Sequence, residues 1–235
     1  MGGAEGGPKG AARINAEAPR VLAEAARAVG AWLVHYSTDY VFDGTKRAPY
    51  TEADAPNPIN VYSRTKRDGE AAIQAVGGRH VILRTSWMYS QRRSNFVRTM
   101  LRLAGENDRL TVVDDQIGVP TWAGWCAEAT ASVCERLLAD GDAPETGCYH
   151  LAGTGQTSWY GLARAVFAQF GRTDVTVEPV SSDEYETAAP RPAYTVLDSS
   201  RARAAFDLPA TTWTAQLDRF RKRVRTAGGE RLARG

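Results

Sequence analysis

Lysines, cysteines and long apolar runs are scarce in this sequence, and each scarcity narrows the class of protein. Only four of the 29 basic residues are lysines. The three cysteines contain no C-x-x-C pair, and their odd number argues against the disulfide framework of a small secreted protein. No run approaches the roughly 18 apolar residues of a membrane span, and the first residues lack the pattern of a secretory signal. We therefore expect a cytoplasmic protein with reduced thiols.

The sequence also lacks an excess of charge of either sign. Twenty-nine Lys and Arg residues against 27 Asp and Glu residues leave a net charge of +2, which provides no basic field for nucleic acid. With 43% hydrophobic and 24% charged residues, the composition is that of a folded globular protein. At about 150 residues per domain, a chain of 235 residues predicts one domain that carries a smaller lobe.

The sequence spacing that is typical of metal ligands is missing as well. His35, His80 and His150 have no second ligand three or four residues away, so a zinc site has little support. Asp114 and Asp115 are neighbouring carboxylates, which we interpret as part of a polar loop rather than as a metal pair. We therefore expect no metal.

Segments of helical apolar spacing alternate along the chain with short apolar runs typical of buried strands. Helices are expected near residues 15–29, 61–76, 95–104 and 123–138. Strands are expected near residues 32–36, 81–83, 110–113 and 148–151. This alternation predicts an α/β fold in which helices cover both faces of a mainly parallel, Rossmann-like sheet. Because the last third is less regular, we divide the chain into a Rossmann-like domain at 1–153 and a smaller substrate-binding lobe at 154–235.

Tyr62 and Lys66 are four residues apart at the start of an expected helix, hence on one helical face with Cβ atoms about 5 to 6 Å apart. A nearby ammonium stabilises a phenolate and lowers its pKa of about 10 toward the range of a general acid. Ser37 and Thr38, at the end of the preceding strand, are candidates to orient a carbonyl. Because a Tyr-x-x-x-Lys pair also arises by chance, its position after such a strand matters as much as its spacing.

Six segments, in order along the chain, carry a family resemblance. They are HYSTDYVFDG (35–44), NVYSRTKRDGE (60–70), RTSWMY (84–89), DDQIGVPT (114–121), YHLAG (149–153) and RPAYTVLDSSR (191–201). From about residue 12 to the last helix, the sequence resembles the dTDP-4-dehydrorhamnose reductase family of extended short-chain dehydrogenases/reductases. The combination is far more specific than any single segment.

The resemblance implies hydride transfer from NADPH or NADH to the 4-keto carbon of a dTDP-4-keto-6-deoxyhexose, a step of dTDP-rhamnose and other deoxysugar biosynthesis. It implies that Tyr62 gives a proton to the new hydroxyl, and that Thr38 hydrogen-bonds the substrate carbonyl or the Tyr62 oxygen. Lys66 would hold the nicotinamide ribose and lower the pKa of Tyr62. Tyr36 matches a family position beside the cofactor, so the implied cofactor-binding residues are Tyr36, Tyr62 and Lys66.

Further residues match the sugar-nucleotide pocket of the family. Asp39 is implied as a polar contact and Trp87 as an apolar wall, although an indole after a strand suits a core role equally well. Arg191 lies between two loop prolines and is a candidate partner for a nucleotide phosphate. With Thr38, these residues form the expected substrate-binding set. The resemblance is compatible with a homodimer, and we expect no nucleic acid or membrane partner.

The family has a glycine-rich turn that this sequence lacks. The family begins with a strand, a Gly-x-x-Gly-x-x-Gly turn and a helix whose N-terminus receives the cofactor pyrophosphate. Residues 1–10 are half glycine but do not supply this pattern, and we expect them to be too flexible to pack. The sheet should then lack its first strands and expose apolar faces. We expect this N-terminally truncated chain to bind cofactor weakly and to have no activity of its own.

Several explanations and one other class of function stay open. Three explanations of the missing turn are open: a natural truncation or misplaced start codon of a reductase, an engineered or predicted fragment, or a domain that keeps the sugar-nucleotide pocket for binding only. The alternative function is a non-catalytic regulatory or sugar-nucleotide-binding protein on the same scaffold, as in the regulatory subunit of methionine adenosyltransferase. An epimerase or dehydratase is disfavoured, because dehydratases add acids beside the catalytic Thr, whereas here the single acid Asp39 is followed by Tyr40.

Overall fold

A computed structural model describes residues 2–139, 144–185 and 187–226 of the chain. Its α-helices are α1 (Gly2–Gly6), α2 (Pro8–Ala12), α3 (Ala18–Ala28), α4 (Val61–Val76), α5 (Phe96–Leu103), α6 (Ala123–Leu138), α7 (Trp159–Phe170), α8 (Ser200–Phe206) and α9 (Trp213–Thr226). Its strands are β1 (Leu33–Thr38), β2 (His80–Thr85), β3 (Met88–Tyr89), β4 (Arg109–Val113), β5 (Ile117–Gly118), β6 (Thr121–Trp122), β7 (Gly147–His150), β8 (Thr157–Ser158) and β9 (Thr176–Val180).

Three parallel strands in the order β1-β2-β7 form the central sheet. Tyr36 pairs with Leu83, and Leu83 pairs in turn with Tyr149. Because successive side chains of a strand point to opposite faces, Ile82 packs with residues of α3 and α4, whereas Leu83 packs in the larger core with residues of α6. Helices therefore cover both faces, and the predicted Rossmann-like α/β fold is confirmed.

The N-terminal residues do not form the flexible segment that their glycine content predicts. Residues 2–28 are helical except at Gly7, which separates α1 from α2, and a π-helical turn at Arg13–Glu17 lies between α2 and α3. The Glu5 carboxylate accepts a hydrogen bond from the Val61 N–H at 2.7 Å, and thereby satisfies one of the free N–H groups at the start of α4. This tertiary contact overrides the low helix propensity of the glycines.

Helix α4 packs unusually close to the π-helical turn, and a glycine allows the approach. A Cβ atom added at Gly69 would lie 2.0 Å from the Asn15 carbonyl oxygen. The Asn15 amide also donates a hydrogen bond to the Thr65 hydroxyl at 3.0 Å. The N-terminal helices thus fix the position of the helix that carries Tyr62 and Lys66.

Strand β4 does not join the central sheet, although the alternation of elements predicts one sheet. It pairs in parallel with β9, from Arg109 opposite Thr176 to Val113 opposite Val180. A two-residue antiparallel pair, β5 with β8, lies beside it. An apolar run predicts a strand but carries no information on which sheet the strand joins. The β4-β9 pair therefore connects segments from both sides of residue 153, where the sequence analysis divides the chain.

The N-terminal helices expose apolar side chains. Ile14, Val21, Leu22 and Val29 are between 52% and 77% exposed on the N-terminal helices and just beyond them. Within the described ranges, no strand pairs with the outer edge of β1. Despite these exposed residues, none of the described helices combines the length and the apolar character that crossing a lipid bilayer requires.

Candidate active site

A cavity of about 640 Å³ opens where β1 and β2 end. In parallel α/β sheets this edge is the usual place for a ligand. Thr38 and Asp39 line the cavity from the end of β1, Tyr62 from the first turn of α4, and Trp87 from the turn after β2. Arg191, from the segment before α8, lies at the exposed rim. Five residues that sequence reasoning assigned to the substrate pocket or the catalytic set are therefore brought together.

At the end of β1, the Thr38 hydroxyl is hydrogen-bonded to the buried carboxyl of Asp39. The Thr38 hydroxyl accepts a hydrogen bond from the Tyr40 N–H and donates one to the Asp39 carboxyl, both at 3.2 Å. Asp39 is only 2% exposed. Burial raises the pKa of Asp39 to about 7, against the opposing effect of the Thr195 and Thr38 hydroxyls. Asp39, which the family resemblance implies as a polar contact for the substrate, thus has a carboxyl group that can carry a proton near neutral pH.

Local capping places Tyr62 in the first turn of α4. Asn60 is the N-cap residue, and its side-chain oxygen accepts a hydrogen bond from the Ser63 N–H at 2.9 Å. The Asn60 amide donates to the Pro190 carbonyl at 3.0 Å, next to Arg191. One asparagine therefore connects the start of α4 to the segment that forms the cavity rim.

The Tyr62 phenol differs electrostatically from its sequence-based prediction. Burial raises the pKa of Tyr62, and the negative charge of Asp39 adds to the increase, while the Thr38 hydroxyl lowers the pKa. Lys66 is not among the causes of this shift, and its ammonium donates a hydrogen bond to the Tyr36 carbonyl. The phenol is therefore protonated at neutral pH.

Lys66 connects α4 to β1. Its ammonium donates a hydrogen bond to the Tyr36 carbonyl at 2.6 Å, and its Nζ lies 3.4 Å from Nε2 of His35. Burial, followed by the charge of Lys66, lowers the pKa of His35 to about 4, so the imidazole is neutral at pH 7 and can accept a hydrogen bond. Burial also lowers the pKa of Lys66, opposed by Glu70.

A buried ion pair one turn beyond Lys66 anchors α4 to the sheet. The Glu70 carboxylate accepts two hydrogen bonds from the Arg84 guanidinium, at 2.9 and 2.6 Å. The two side chains are only 4% and 5% exposed. Sequence reasoning did not identify this pair, because the two residues are brought together only when α4 packs on β2.

Two stacked indoles form the apolar wall of the cavity. The rings of Trp87 and Trp159 are 3.6 Å apart and within 5° of parallel. Trp87 has a positive φ of 44°, and a Cβ added at Gly118 would lie 2.5 Å from its ring. The predicted wall position of Trp87 is therefore observed, whereas its partner Trp159 was missed. An aromatic residue at the start of α7 carries no sequence signal of this pairing.

Tyr36 and Lys66 lie outside the cavity, on the side of β1 that leads to its unpaired edge. Tyr36 is 42% exposed, and its hydroxyl is 2.6 Å from the Thr130 hydroxyl on α6. An ammonium has three N–H donors. Two of the Lys66 N–H groups point to the Tyr36 carbonyl and to His35, which leaves the third for a ribose hydroxyl. These residues fit the nicotinamide ribose end of a cofactor.

The described residues supply no equivalent site for the cofactor pyrophosphate. In that part of the chain, no glycine-rich turn connects a strand to a helix N-terminus. Such a turn is what holds a dinucleotide pyrophosphate in Rossmann folds. The fit to a nicotinamide cofactor is therefore limited to its ribose end.

The fold and this site define a Rossmann-like α/β protein with a ligand cavity at the carboxyl ends of its parallel strands. The chain belongs to the RmlD substrate binding domain family, whose sequence model matches residues 1–226. It is similar to a dTDP-4-dehydrorhamnose reductase of Sinorhizobium fredii, at 42% identity over 214 residues that cover 89% of this chain and 72% of the relative.

Two solved structures show the same likeness. The dTDP-4-dehydrorhamnose reductase of Bacillus anthracis in complex with NADP has a TM-score of 0.85 and 37% identity, over 92% of this chain and 74% of that one. A dTDP-4-dehydrorhamnose reductase from Clostridium acetobutylicum has a TM-score of 0.88 and 34% identity, over 96% of this chain and 77% of that one. The family resemblance of the sequence is thus confirmed.

Proposed function

We propose that this chain reduces the 4-keto group of a dTDP-4-keto-6-deoxyhexose with NADPH, as in dTDP-rhamnose biosynthesis. The observation that carries the proposal is the placement of the Tyr62 phenol and the Thr38 hydroxyl in one cavity, with Lys66 on the adjoining side of β1. The reductases of similar sequence, and the relative in complex with NADP, support this choice of substrate and cofactor. The bound nicotinamide would supply the hydride.

Tyr62 is the proton donor in this proposal, and Thr38 orients the reacting carbonyl. A phenol whose pKa is raised by burial holds its proton until negative charge develops on the substrate oxygen. The Thr38 hydroxyl has a single proton, which it donates to Asp39 in the structure, and in this proposal the proton turns to the substrate oxygen when the carbonyl binds. Together the two hydroxyls would stabilise the oxyanion that forms during reduction.

Lys66 and Tyr36 are proposed to hold the cofactor ribose. The neutral His35 imidazole and the Tyr36 carbonyl keep the ammonium at the edge of β1, from which its third N–H can reach a ribose hydroxyl. Lys66 thus acts in this proposal by binding and by holding α4 to β1. No direct effect of Lys66 on the phenol is needed.

The sugar nucleotide is proposed to lie across the cavity. The Trp87-Trp159 stack offers a flat apolar surface for the sugar or the base. The exposed Arg191 guanidinium at the rim suits a diphosphate group. The keto group would then point toward Thr38 and Tyr62.

Consumption of NADPH, followed by its absorbance with a dTDP-4-keto-6-deoxyhexose as substrate, tests the proposal. The inactivity expected from the sequence alone is the outcome that would contradict the proposal. Because the described residues hold the ribose end alone, we expect saturation only at NADPH concentrations far above the micromolar range. Turnover in the wild type that disappears in Tyr62→Phe would support the proposal. Binding of the sugar nucleotide without any turnover would favour a non-catalytic binding protein.

A further inference from the structure

The stretch of chain that carries Arg191, residues 187–192, forms part of the cavity rim, and we call it the rim segment. Arg191 lies in it between Pro190 and Pro192, which have no backbone N–H with which to pair with a strand. Among the described hydrogen bonds, one joins the rim segment to another part of the fold, and the Asn60 amide donates it to the Pro190 carbonyl at 3.0 Å. The position of Arg191 therefore depends on the Asn60 side chain.

Asn60 donates this bond from a fixed position at the start of α4. Its side chain is only 1% exposed, and its side-chain oxygen accepts hydrogen bonds from the Ser63 N–H and the Ser63 hydroxyl. Its main-chain carbonyl accepts a further bond from the Arg64 N–H at 3.0 Å. These bonds fix the amide to the first helical turn, which also carries Tyr62. The helix therefore orients the amide N–H that reaches the Pro190 carbonyl.

We propose that Asn60 is a positioning residue that holds the Arg191 guanidinium where it can bind the diphosphate of the sugar nucleotide, at a set distance from the Tyr62 phenol. This inference rests on the sugar-nucleotide site of the function proposed above. Asn60 itself does not line the cavity, so it acts through the rim segment. A loose rim segment would have to be ordered when the ligand binds, and the bond from Asn60 removes part of that entropic cost.

A double-mutant cycle with Asn60→Ser and Arg191→Ala tests this role. Serine still caps a helix, but its side chain is too short to reach the Pro190 carbonyl. We expect dTDP, titrated by calorimetry without cofactor, to bind Asn60→Ser about five- to tenfold more weakly than the wild type, which is the effect of one lost hydrogen bond. Once Arg191→Ala is present, Asn60→Ser should change the affinity by less than about twofold, because Asn60 acts through Arg191.

Ser63→Ala is the matched control, because it removes one hydrogen bond to the Asn60 oxygen and leaves the donation to Pro190 in place. It should bind dTDP as the wild type does. Asn60→Asp is a second test variant of nearly the same size. Its ionised carboxylate can still accept from Ser63 but has no N–H for the Pro190 carbonyl, so we expect the same loss as in Asn60→Ser. The test therefore does not depend on the folding of one variant.

Steady-state kinetics separate positioning from a general loss of structure. In Asn60→Ser, the KM for the keto sugar nucleotide should rise about five- to tenfold, whereas the KM for NADPH should stay within about twofold. The reason is that Lys66, which is proposed to hold the cofactor ribose, is bonded to β1 and not to the rim segment. A smaller fraction of folded protein would instead lower kcat and leave both KM values unchanged. Equal changes of the two KM values overturn the positioning role.

The outcomes distinguish this inference from the proposed function. If Asn60→Ser binds dTDP as tightly as the wild type, or if the two losses multiply in the double variant, the positioning role is overturned, and the proposed reduction stands where the wild type turns over the sugar. If the cycle shows the expected pattern but the wild type reduces no sugar, the proposed reduction is overturned and the positioning role stands. A wild type that does not bind dTDP overturns both.

Discussion

The Lys66 ammonium donates a hydrogen bond to the Tyr36 carbonyl at 2.6 Å and so ties the helix that carries the phenol to the strand that carries the Thr38 hydroxyl. The bond is made to the main chain, so it fixes the distance between the two elements whatever side chain stands at position 36. Lys66 thereby helps to shape the cavity that it does not line.

Replacing Tyr62 with Phe removes the proposed proton donor and its interaction with the Thr38 hydroxyl, while the ring that lines the cavity is kept. We expect kcat to fall by about 10² or more, the usual contribution of a general acid. Thermal unfolding measured on the same preparations should be unchanged. Keto-sugar reduction at the wild-type rate would remove Tyr62 from the mechanism.

Gly118→Ala tests whether the Trp87 ring forms a wall of the ligand cavity, because Gly118 lies against this ring. A Cβ there would lie 2.5 Å from the Trp87 ring, which must move away from Trp159 at a cost of about 1 to 3 kcal/mol for overpacking. We expect weaker binding of the sugar nucleotide in calorimetry. Gly10→Ala, whose new Cβ meets nothing within 4 Å, is the control and should bind as the wild type does. Unchanged affinity in Gly118→Ala would assign Trp87 to the core alone.

Glu70→Gln breaks the buried pair with Arg84 and leaves a guanidinium without its counter-charge. We expect a loss of about 3 to 5 kcal/mol in the free energy of unfolding, measured by urea denaturation. The same change at Glu106, which forms an exposed pair with Arg102, should cost less than about 1 kcal/mol. Similar losses for the two variants would contradict an anchoring role of the buried pair.

Stability should depend on pH through Asp39. The pKa of Asp39 is about 7 in the folded chain and 3.8 as its ordinary value, so between these pH values the folded state binds the extra proton. Stability from this group is therefore present at low pH and decreases as pH rises toward 7. Relative to Asp39→Asn, the wild type should lose about 2 to 3 kcal/mol of unfolding free energy between pH 5 and pH 8. Parallel pH curves for the two proteins would show that Asp39 is ionised throughout.

Local signals predicted the elements that carry the site. Asn60 caps α4, and Gly77 ends it in the left-handed conformation with φ of 70°, so the predicted range of 61–76 is confirmed. The same holds for α6 at 123–138. In both helices the apolar spacing carries this information, and in α4 the flanking Asn60 and Gly77 add to it.

Features that depend on distant segments could not be predicted. The two short helices α1 and α2 are tied to the rest of the chain by Glu5, which bonds a helix start 56 positions away. Trp87 meets Trp159 only because the turn after β2 packs against the start of α7, and Asp39 has a raised pKa only because it is buried in the folded chain. Composition and spacing describe none of these contacts, which arise from packing in the folded chain.

Transfer of deuterium tests the reductase proposal most directly. NADPH deuterated at the transferred position of the nicotinamide is incubated at millimolar concentration with a dTDP-4-keto-6-deoxyhexose and either the wild type or Tyr62→Phe. We expect the wild type to give a product that is one mass unit heavier, with deuterium on C4 of the sugar. In the same time, Tyr62→Phe should give at least about 10²-fold less of this deuterated product. A wild type that saturates with the sugar nucleotide and places no deuterium on C4 would contradict it.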